Sequence, residues 1–264
     1  MIDFAERLRS KPLLGTWCTF ASFASAEVMA RLGFDFVVLD MQHGEISQAQ
    51  FPALLGAFHE AGCTPVVRAP ENRYHIINWL FDQGAPAVLA PMVNSPARAR
   101  CAVAASKYPP TGRKSFGPLR ASEYSSRSGE YLAAGDAACT LIIQVESETA
   151  VNRIDEILAV PGIDAVFMGP NDLAFSRLRA GETLGPAGPR ISPAAGWTGF
   201  ARTPEVLGLC DRVRVAAAAR ELPFGMTSTS IQEAREWMAK GAFATFGSDF
   251  LFMQSGAAHL CRGA

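Results

Sequence analysis

Short apolar runs rich in Val, Ile, Leu and Phe return eight times along the chain, at 13–20, 35–41, 64–70, 87–93, 139–147, 164–170, 222–228 and 243–249. Most lack the polar alternation of a strand with one wet face; DFVVLDM and CTLIIQVES are apolar on both. Strands of that kind belong in a parallel sheet whose outer face is covered by helices. The intervening stretches supply the cover. SAEVMARLG, SQAQFPALLGAFHEAG, YHIINWLFDQGA, TAVNRIDEILAVPG and SIQEAREWMAKG carry helical periodicity. Several begin with Ser or Thr at an N-cap position, and several stop at Gly.

Eight β/α units within 264 residues predict a closed (β/α)8 barrel, a TIM barrel, as a single domain spanning 1–264. A doubly wound open sheet is the alternative, and no G-x-G-x-x-G follows the first strand to favour its dinucleotide-binding form. Two connections are longer than compact domains usually carry. Residues 109–138 join the fourth helix to the fifth strand, with a helical turn expected near Ser128–Leu132, and are long enough to wrap toward a site. Residues 177–203 form a Gly/Pro-rich inserted loop after the sixth strand.

A formal net charge of −1 gives no electrostatic reason to expect nucleic acid or an anionic membrane as partner. Six cysteines without a C-x-x-C pair read as reduced core or near-core thiols. The start, MIDFAERLRSKPLL, has no apolar signal-peptide core, and no apolar run approaches the roughly 18 residues that span a bilayer. A soluble, cytoplasmic protein is expected.

Barrels of this kind place their chemistry at the C-terminal ends of the strands. That rule selects Asp40, His43 and Glu45 after strand 2, Arg68 at strand 3, Gln144 and Glu146 at strand 5, and Asn171 and Asp172 after strand 6. Thr227 and Ser228 end strand 7, and Ser248 and Asp249 end strand 8. Glu146 and Asp172 close neighbouring strands as two hard oxygen ligands. Such a pair suits Mg²⁺ or a similar divalent ion, with other positions left to water and substrate. Arg68 offers a fixed, forked cation to a carboxylate or a polarised carbonyl oxygen. Among four histidines only His43 falls at a strand end, where its pKa class suits proton transfer, with Asp40 to orient it. His59, His75 and His259 sit on helical patterns as packing or surface residues. The four lysines, Lys11, Lys107, Lys114 and Lys240, all lie away from strand ends, so imine catalysis is disfavoured. A metal would then have to serve as the electron sink.

The segments DFVVLDMQHGE, VVRAPE, LFDQGA, VLAPMVNSPARAR, KYPPTGRKSFGP, LIIQVES and VFMGPNDL, in this order and spacing, resemble the HpcH/HpaI aldolases, the class II pyruvate aldolases. The likeness runs from about Gly15 to Asp249. It implies a barrel whose last helix is exchanged between subunits, assembled as a trimer or hexamer. It implies a divalent ion (Mg²⁺, Mn²⁺ or Co²⁺) on Glu146 and Asp172, with no Schiff-base lysine and no organic cofactor. Pyruvate would chelate that ion beside Gln144, its carboxylate held by the backbone of Gly169, Pro170, Asn171 and Asp172. Arg68 would stabilise the enolate oxygen, and His43, supported by Asp40, would move a proton through a water on the metal. Asp82, in LFDQG, matches a residue projected into a neighbouring subunit's site. Two departures stand out: Gln42 replaces a glutamate of many members, and 177–203 exceeds the usual connection. Arg113, Lys114 and Arg120 read as a solvated loop, or as ligands of a distal carboxylate on the aldehyde.

The resulting expectation is a carbon–carbon lyase, reversibly cleaving a 4-hydroxy-2-oxo acid to pyruvate and an aldehyde. Oxaloacetate decarboxylation, or capture of the enolate in biosynthesis, would use the same site. A barrel that binds a 2-oxo acid without turnover is the reading from another class.

Overall fold

A computed structural model describes residues 3–58, 61–177, 191–192, 196–197 and 200–262. Eight parallel strands hydrogen-bond in a closed ring. They are β1 (Leu14–Cys18), β2 (Phe36–Asp40), β3 (Thr64–Arg68) and β4 (Ala87–Ala90), then β5 (Thr140–Val145), β6 (Ala165–Met168), β7 (Phe224–Ser228) and β8 (Phe243–Ser248). Pairing of β1 with β8 closes the barrel and excludes the open sheet. Every expected apolar run contains one strand. The ladders stop short of the predicted ends because the chain there turns away to present polar side chains at the rim.

Alternation along each strand builds two cores. Phe36, Val38, Leu89, Ile142, Phe167 and Phe243 fill the barrel, while Val37, Leu39, Val88, Ile143 and Val166 pack outward under the helices. Both faces are therefore dry, which is why the strand sequences lack a polar register. The N-terminal helix Phe4–Ser10 plugs the mouth at the strand starts. Its Phe4 ring meets Phe36 edge-on at 5.7 Å, and the Ala5 N–H donates to Thr140 Oγ1 at 3.1 Å. With that end stopped, the C-terminal rim is left for ligands.

Large rings inside the barrel need small neighbours. A β-carbon at Gly15 would lie 2.4 Å from the Phe36 ring, and one at Gly225 would lie 2.3 Å from Phe243. Gly225→Ala is therefore expected to destabilise the fold by about 1–3 kcal/mol, the usual cost of overpacking a filled core. Urea denaturation would read this as a lower midpoint at unchanged slope; an unchanged midpoint would mean that the interior has slack.

The 109–138 segment corrects an expectation. It does contain a helix, Ser128–Ala134, over the predicted turn. Within its own chain, however, it packs at the strand starts rather than toward the rim. The helix Tyr74–Asp82 runs back antiparallel to the strands and brings Asp82 to that level. There the Asp82 carbonyl accepts the backbone N–H groups of Arg120 and Ala121, at 3.1 and 3.2 Å. Lys114 is neither solvated nor an anion ligand. Its ammonium is buried, donating to Asp82 Oδ1 and the Tyr108 hydroxyl, both at 2.9 Å, and lying 4.5 Å from the Tyr108 ring centroid. A buried ammonium persists only when paired in this way. Lys107 is likewise buried at this pole, 2.6 Å from Asp164 Oδ2 and 2.7 Å from the Cys139 carbonyl. Both lysines are thus held away from the rim.

Of the inserted loop, residues 178–190, 193–195 and 198–199 lie outside the described residues, so most of the reading of 177–203 falls there. The rest includes a two-residue antiparallel pairing of Ile191–Ser192 with Gly196–Trp197 and a 3-10 turn, Phe200–Arg202. No described helix is long and apolar enough to cross a membrane. All six cysteines are free; burial pushes the thiols of Cys18, Cys63 and Cys210 up to about 12, while Cys261 is exposed rather than near the core.

Candidate functional site

Register places the first pair. β2 and β3 align Asp40 directly beside Arg68 at their C-terminal ends. Arg68 Nε donates to Asp40 Oδ1 at 2.9 Å and Nη2 to Oδ2 at 2.5 Å, a fork-on-fork contact. The guanidinium also lies over Trp17 of β1, 4.5 Å from the ring centroid. Trp17 is fixed in turn: its indole N–H donates to Thr245 Oγ1 at 2.8 Å. Burial works against the charge on Asp40. The Arg68 hydrogen bonds and charge, joined by the N–H groups of His43 and Gln42, nevertheless hold its carboxyl below the usual range.

Asp40 positions His43 differently from the expectation. Its Oδ1 accepts the backbone N–H of Gln42 at 3.0 Å and of His43 at 3.1 Å, fixing the turn while the imidazole remains exposed and unbonded among the described residues. The carboxylate is occupied by Arg68, so it orients the histidine through its main chain. His75 and His259 are exposed on helices, as expected, and His59 lies outside the described residues.

Glu146 follows β5 and is almost fully buried. Its Oε1 accepts the Met92 N–H at 2.6 Å, and its Oε2 accepts from the Gln144 amide at 2.5 Å. Met92 reaches it from a left-handed backbone (φ 53°), costly for a residue with a β-carbon. Burial pushes the Glu146 carboxyl up to about 7; the charge of Asp172 adds to the rise, against the Met92 N–H, Arg68 and Gln144. Asp172 is half-buried in the first turn of the helix Pro170–Ser176, which Gly169 introduces. A β-carbon on Gly169 would lie 3.0 Å from Glu146 Oε2 and the Gln144 amide nitrogen, so a side chain here would press on the carboxylate.

Two neighbouring carboxylates that repel each other's charge are a donor set suited to a cation. The buried oxygens Gln144 Oε1 and Asn171 Oδ1 also have no hydrogen-bond partner among the described residues. These residues fit a hard divalent ion, which needs oxygen ligands and takes the balance from water and substrate. Among the described residues no group of three or more His, Cys, Asp or Glu could hold a metal, so the protein offers a partial shell with open positions.

A cavity of about 310 Å³ opens beside this cluster, at the small end of ligand-site volumes. Trp17, Asp40, Arg68 and Asn171 line it, together with Arg202, Ser228, Thr229 and Ser248. A larger cavity, about 710 Å³, lies at the opposite pole against Phe81 and Tyr131. Its wall is mainly apolar, and its Arg127 already pairs with Glu123, so the chemistry belongs to the smaller one. Asp82 is absent from the rim: Lys114 and Asn78 hold its carboxylate at the strand starts. Asp249 serves the fold, accepting from the N–H groups of Thr19 and Phe20, each at 2.9 Å, and tying β1 to β8.

The residues that strand-end reasoning missed are Trp17, Met92 and Arg202. Trp17 ends no polar motif, although the strand-end rule applied to β1 would have reached it. The Met92 contribution is a backbone N–H, which no side-chain pattern can reveal. Arg202 ends a long irregular segment without periodicity.

A (β/α)8 barrel whose open rim gathers a clamped guanidinium and two facing carboxylates defines an enzyme that stabilises negative charge developing on a small oxygen-rich substrate. Comparison with known proteins carries this further. The chain belongs to the HpcH/HpaI aldolase/citrate lyase family, whose profile matches residues 13–251. It is 32% identical over 254 residues to a 2-dehydro-3,6-dideoxy-6-sulfogluconate aldolase of Pseudomonas putida, covering 96% of this chain and 92% of the relative. A hydroxypyruvate/pyruvate aldolase of Rhizorhabdus wittichii is 36% identical over 236 residues, 80% of this chain and 93% of that protein. Among solved structures, a family member from Burkholderia cenocepacia superposes with a TM-score of 0.85 at 27% identity, covering 100% and 99% of the two chains. The expected class is met: the chain is a carbon–carbon lyase of the aldolase type.

Proposed function

We propose that this protein cleaves a 4-hydroxy-2-oxo acid reversibly to pyruvate and an aldehyde at the C-terminal rim of its barrel. The observation that supports this best is the Asp40–Arg68 fork, lying on Trp17 and facing the cavity next to Glu146 and Asn171. Retro-aldol cleavage breaks the C3–C4 bond. Its electron pair moves into the C2–C3 bond, and the C2 carbonyl oxygen takes up negative charge. Arg68 keeps Nη1 free of described partners, and a donor held rigidly toward that oxygen stabilises charge without reorganising. A divalent ion (Mg²⁺, Mn²⁺ or Co²⁺) held by Glu146 and Asp172 supplies Lewis-acid stabilisation of the same charge.

The C4 hydroxyl must lose its proton as the bond breaks. His43 takes that role, its turn pinned by Asp40 and its ring open to the rim. Protonation at C3 then completes pyruvate. Gln144, with the backbone from Gly169 through Pro170 and Asn171 to Asp172, holds the oxo-acid carboxylate. With Lys107 and Lys114 held at the far pole, imine chemistry has no lysine amine at the rim among the described residues.

This reading extends to the assembly. The chain acts as one barrel domain, with 177–203 as an insertion, in a cytoplasmic trimer or hexamer whose last helix is exchanged between subunits. Two features support association. The helix Asp249–Arg262 leaves Met253 and Leu260 exposed, and Phe23, Val28 and Leu32 are uncovered near the helix after β1. A catalytic role for Asp82 requires a second copy, because in its own chain it lies at the opposite pole. The test of the activity is pyruvate release from a 4-hydroxy-2-oxo acid, lost with a chelator and restored by Mg²⁺, Mn²⁺ or Co²⁺. Release that survives chelation and stops on borohydride trapping would replace this mechanism with an imine.

A further inference from the structure

Part of the cavity lining, around Arg202 and Ser228, is left unused by the pyruvate chemistry. Arg202 reaches it from the turn Phe200–Arg202, with its side chain only 14% exposed. Its Nε donates to Glu233 Oε1 at 2.7 Å, Nη2 to the Thr227 carbonyl at 3.0 Å and Nη1 to the Ala201 carbonyl at 3.2 Å. Three of the five guanidinium N–H groups are spent in this way, and the others have no described acceptor. Glu233 Oε2 accepts from the Thr229 N–H at 2.7 Å and its hydroxyl at 2.8 Å, which locks the adjoining wall. Beside it Ser228, 8% exposed, lines the cavity with a buried hydroxyl that has no hydrogen-bond partner among the described residues.

The charge pattern decides what such a wall binds. Each guanidinium lining the cavity already has its carboxylate, Arg68 with Asp40 at 2.5 Å and Arg202 with Glu233 at 2.7 Å. Asp249 stands behind the same rim, its charge directed at Thr19 and Phe20. An anionic group entering here would shed its water against pairs that are already neutral, with little Coulombic return. A hydroxyl loses less on desolvation, finds spare N–H donors on Arg202, and gives Ser228 the partner it lacks.

We propose that this part of the lining is the aldehyde subsite, and that it selects an uncharged hydroxyaldehyde through Arg202 and Ser228. The inference rests on pyruvate forming beside Arg68. Arg202 is the specificity-determining residue, and Glu233 holds it in place and neutralises it.

The test compares glyceraldehyde with tartronate semialdehyde, which differ only in a terminal hydroxymethyl or carboxylate group. Aldol addition of pyruvate to each is followed with the metal-loaded protein and its Arg202→Gln and Glu233→Gln variants. Deuterium exchange into the pyruvate methyl group, run without aldehyde, reports the other half of the site separately. The wild type should favour glyceraldehyde in kcat/KM. Arg202→Gln should lower that value by about tenfold or more while leaving exchange unchanged. Glu233→Gln, by removing the neutralising charge, should move the preference toward tartronate semialdehyde. Wild-type preference for tartronate semialdehyde, or an unaltered ratio in both variants with exchange intact, would overturn the inference. So would loss of exchange in Arg202→Gln, which would place Arg202 on the pyruvate side. Absence of exchange in the wild type would instead remove the pyruvate reading on which it rests.

Discussion

Arg68→Lys is expected to lower kcat/KM for cleavage by about 10²–10³-fold, the scale of removing one preorganised donor from a developing oxyanion. Lysine keeps the charge and loses the fork. Asp40 would give up one of two parallel bonds, and no planar cation would lie over Trp17. The remaining ammonium, on a flexible stem, would have to be reorganised when charge develops, and that reorganisation is the expected loss. Asp40→Asn tests the pair from the other side. It preserves shape but leaves a buried guanidinium without its counter-charge, and it weakens the acceptor that holds the His43 turn. Steady-state kinetics of both variants and the double variant measures the coupling. Additive losses would mean that the two residues act independently, contrary to the geometry.

The second large effect separates metal holding from proton transfer. Glu146→Gln is expected to lose bound metal and about 10³-fold or more in rate, corresponding to several kcal/mol of charge stabilisation. His43→Ala should lose about 10²–10⁴-fold in turnover and keep the metal, because its exposed ring makes no hydrogen bond to either carboxylate among the described residues. Metal content by atomic emission beside kinetics distinguishes them. Equal metal loss in both variants would show that these roles are misassigned.

Much of this was legible because the signals were local. Double-sided apolar runs predicted eight strands, and the ends of those strands predicted Asp40, Arg68, Gln144, Glu146 and Asp172. What failed was long-range. Whether Lys114 is solvated depends on Tyr108 and Asp82 meeting it across a helix and a loop, and no window of sequence contains that encounter. The way in which Asp40 orients His43 was likewise not local. Parallel register gave its oxygens to Arg68 on the next strand and left the histidine only a main-chain contact. Arg202 was invisible because its role comes from Glu233 and Thr227, which a helix and a strand bring to it from later in the chain.

The central claim is that this rim generates the enolate of pyruvate, and proton exchange measures that directly. In D₂O with Mg²⁺ or Mn²⁺ and no aldehyde, the protein should exchange the pyruvate methyl protons for deuterium. The rate should collapse on chelation and in Arg68→Lys, and recover when metal is returned to the wild type. A wild-type protein that binds pyruvate and metal yet leaves the methyl protons in place would contradict the account.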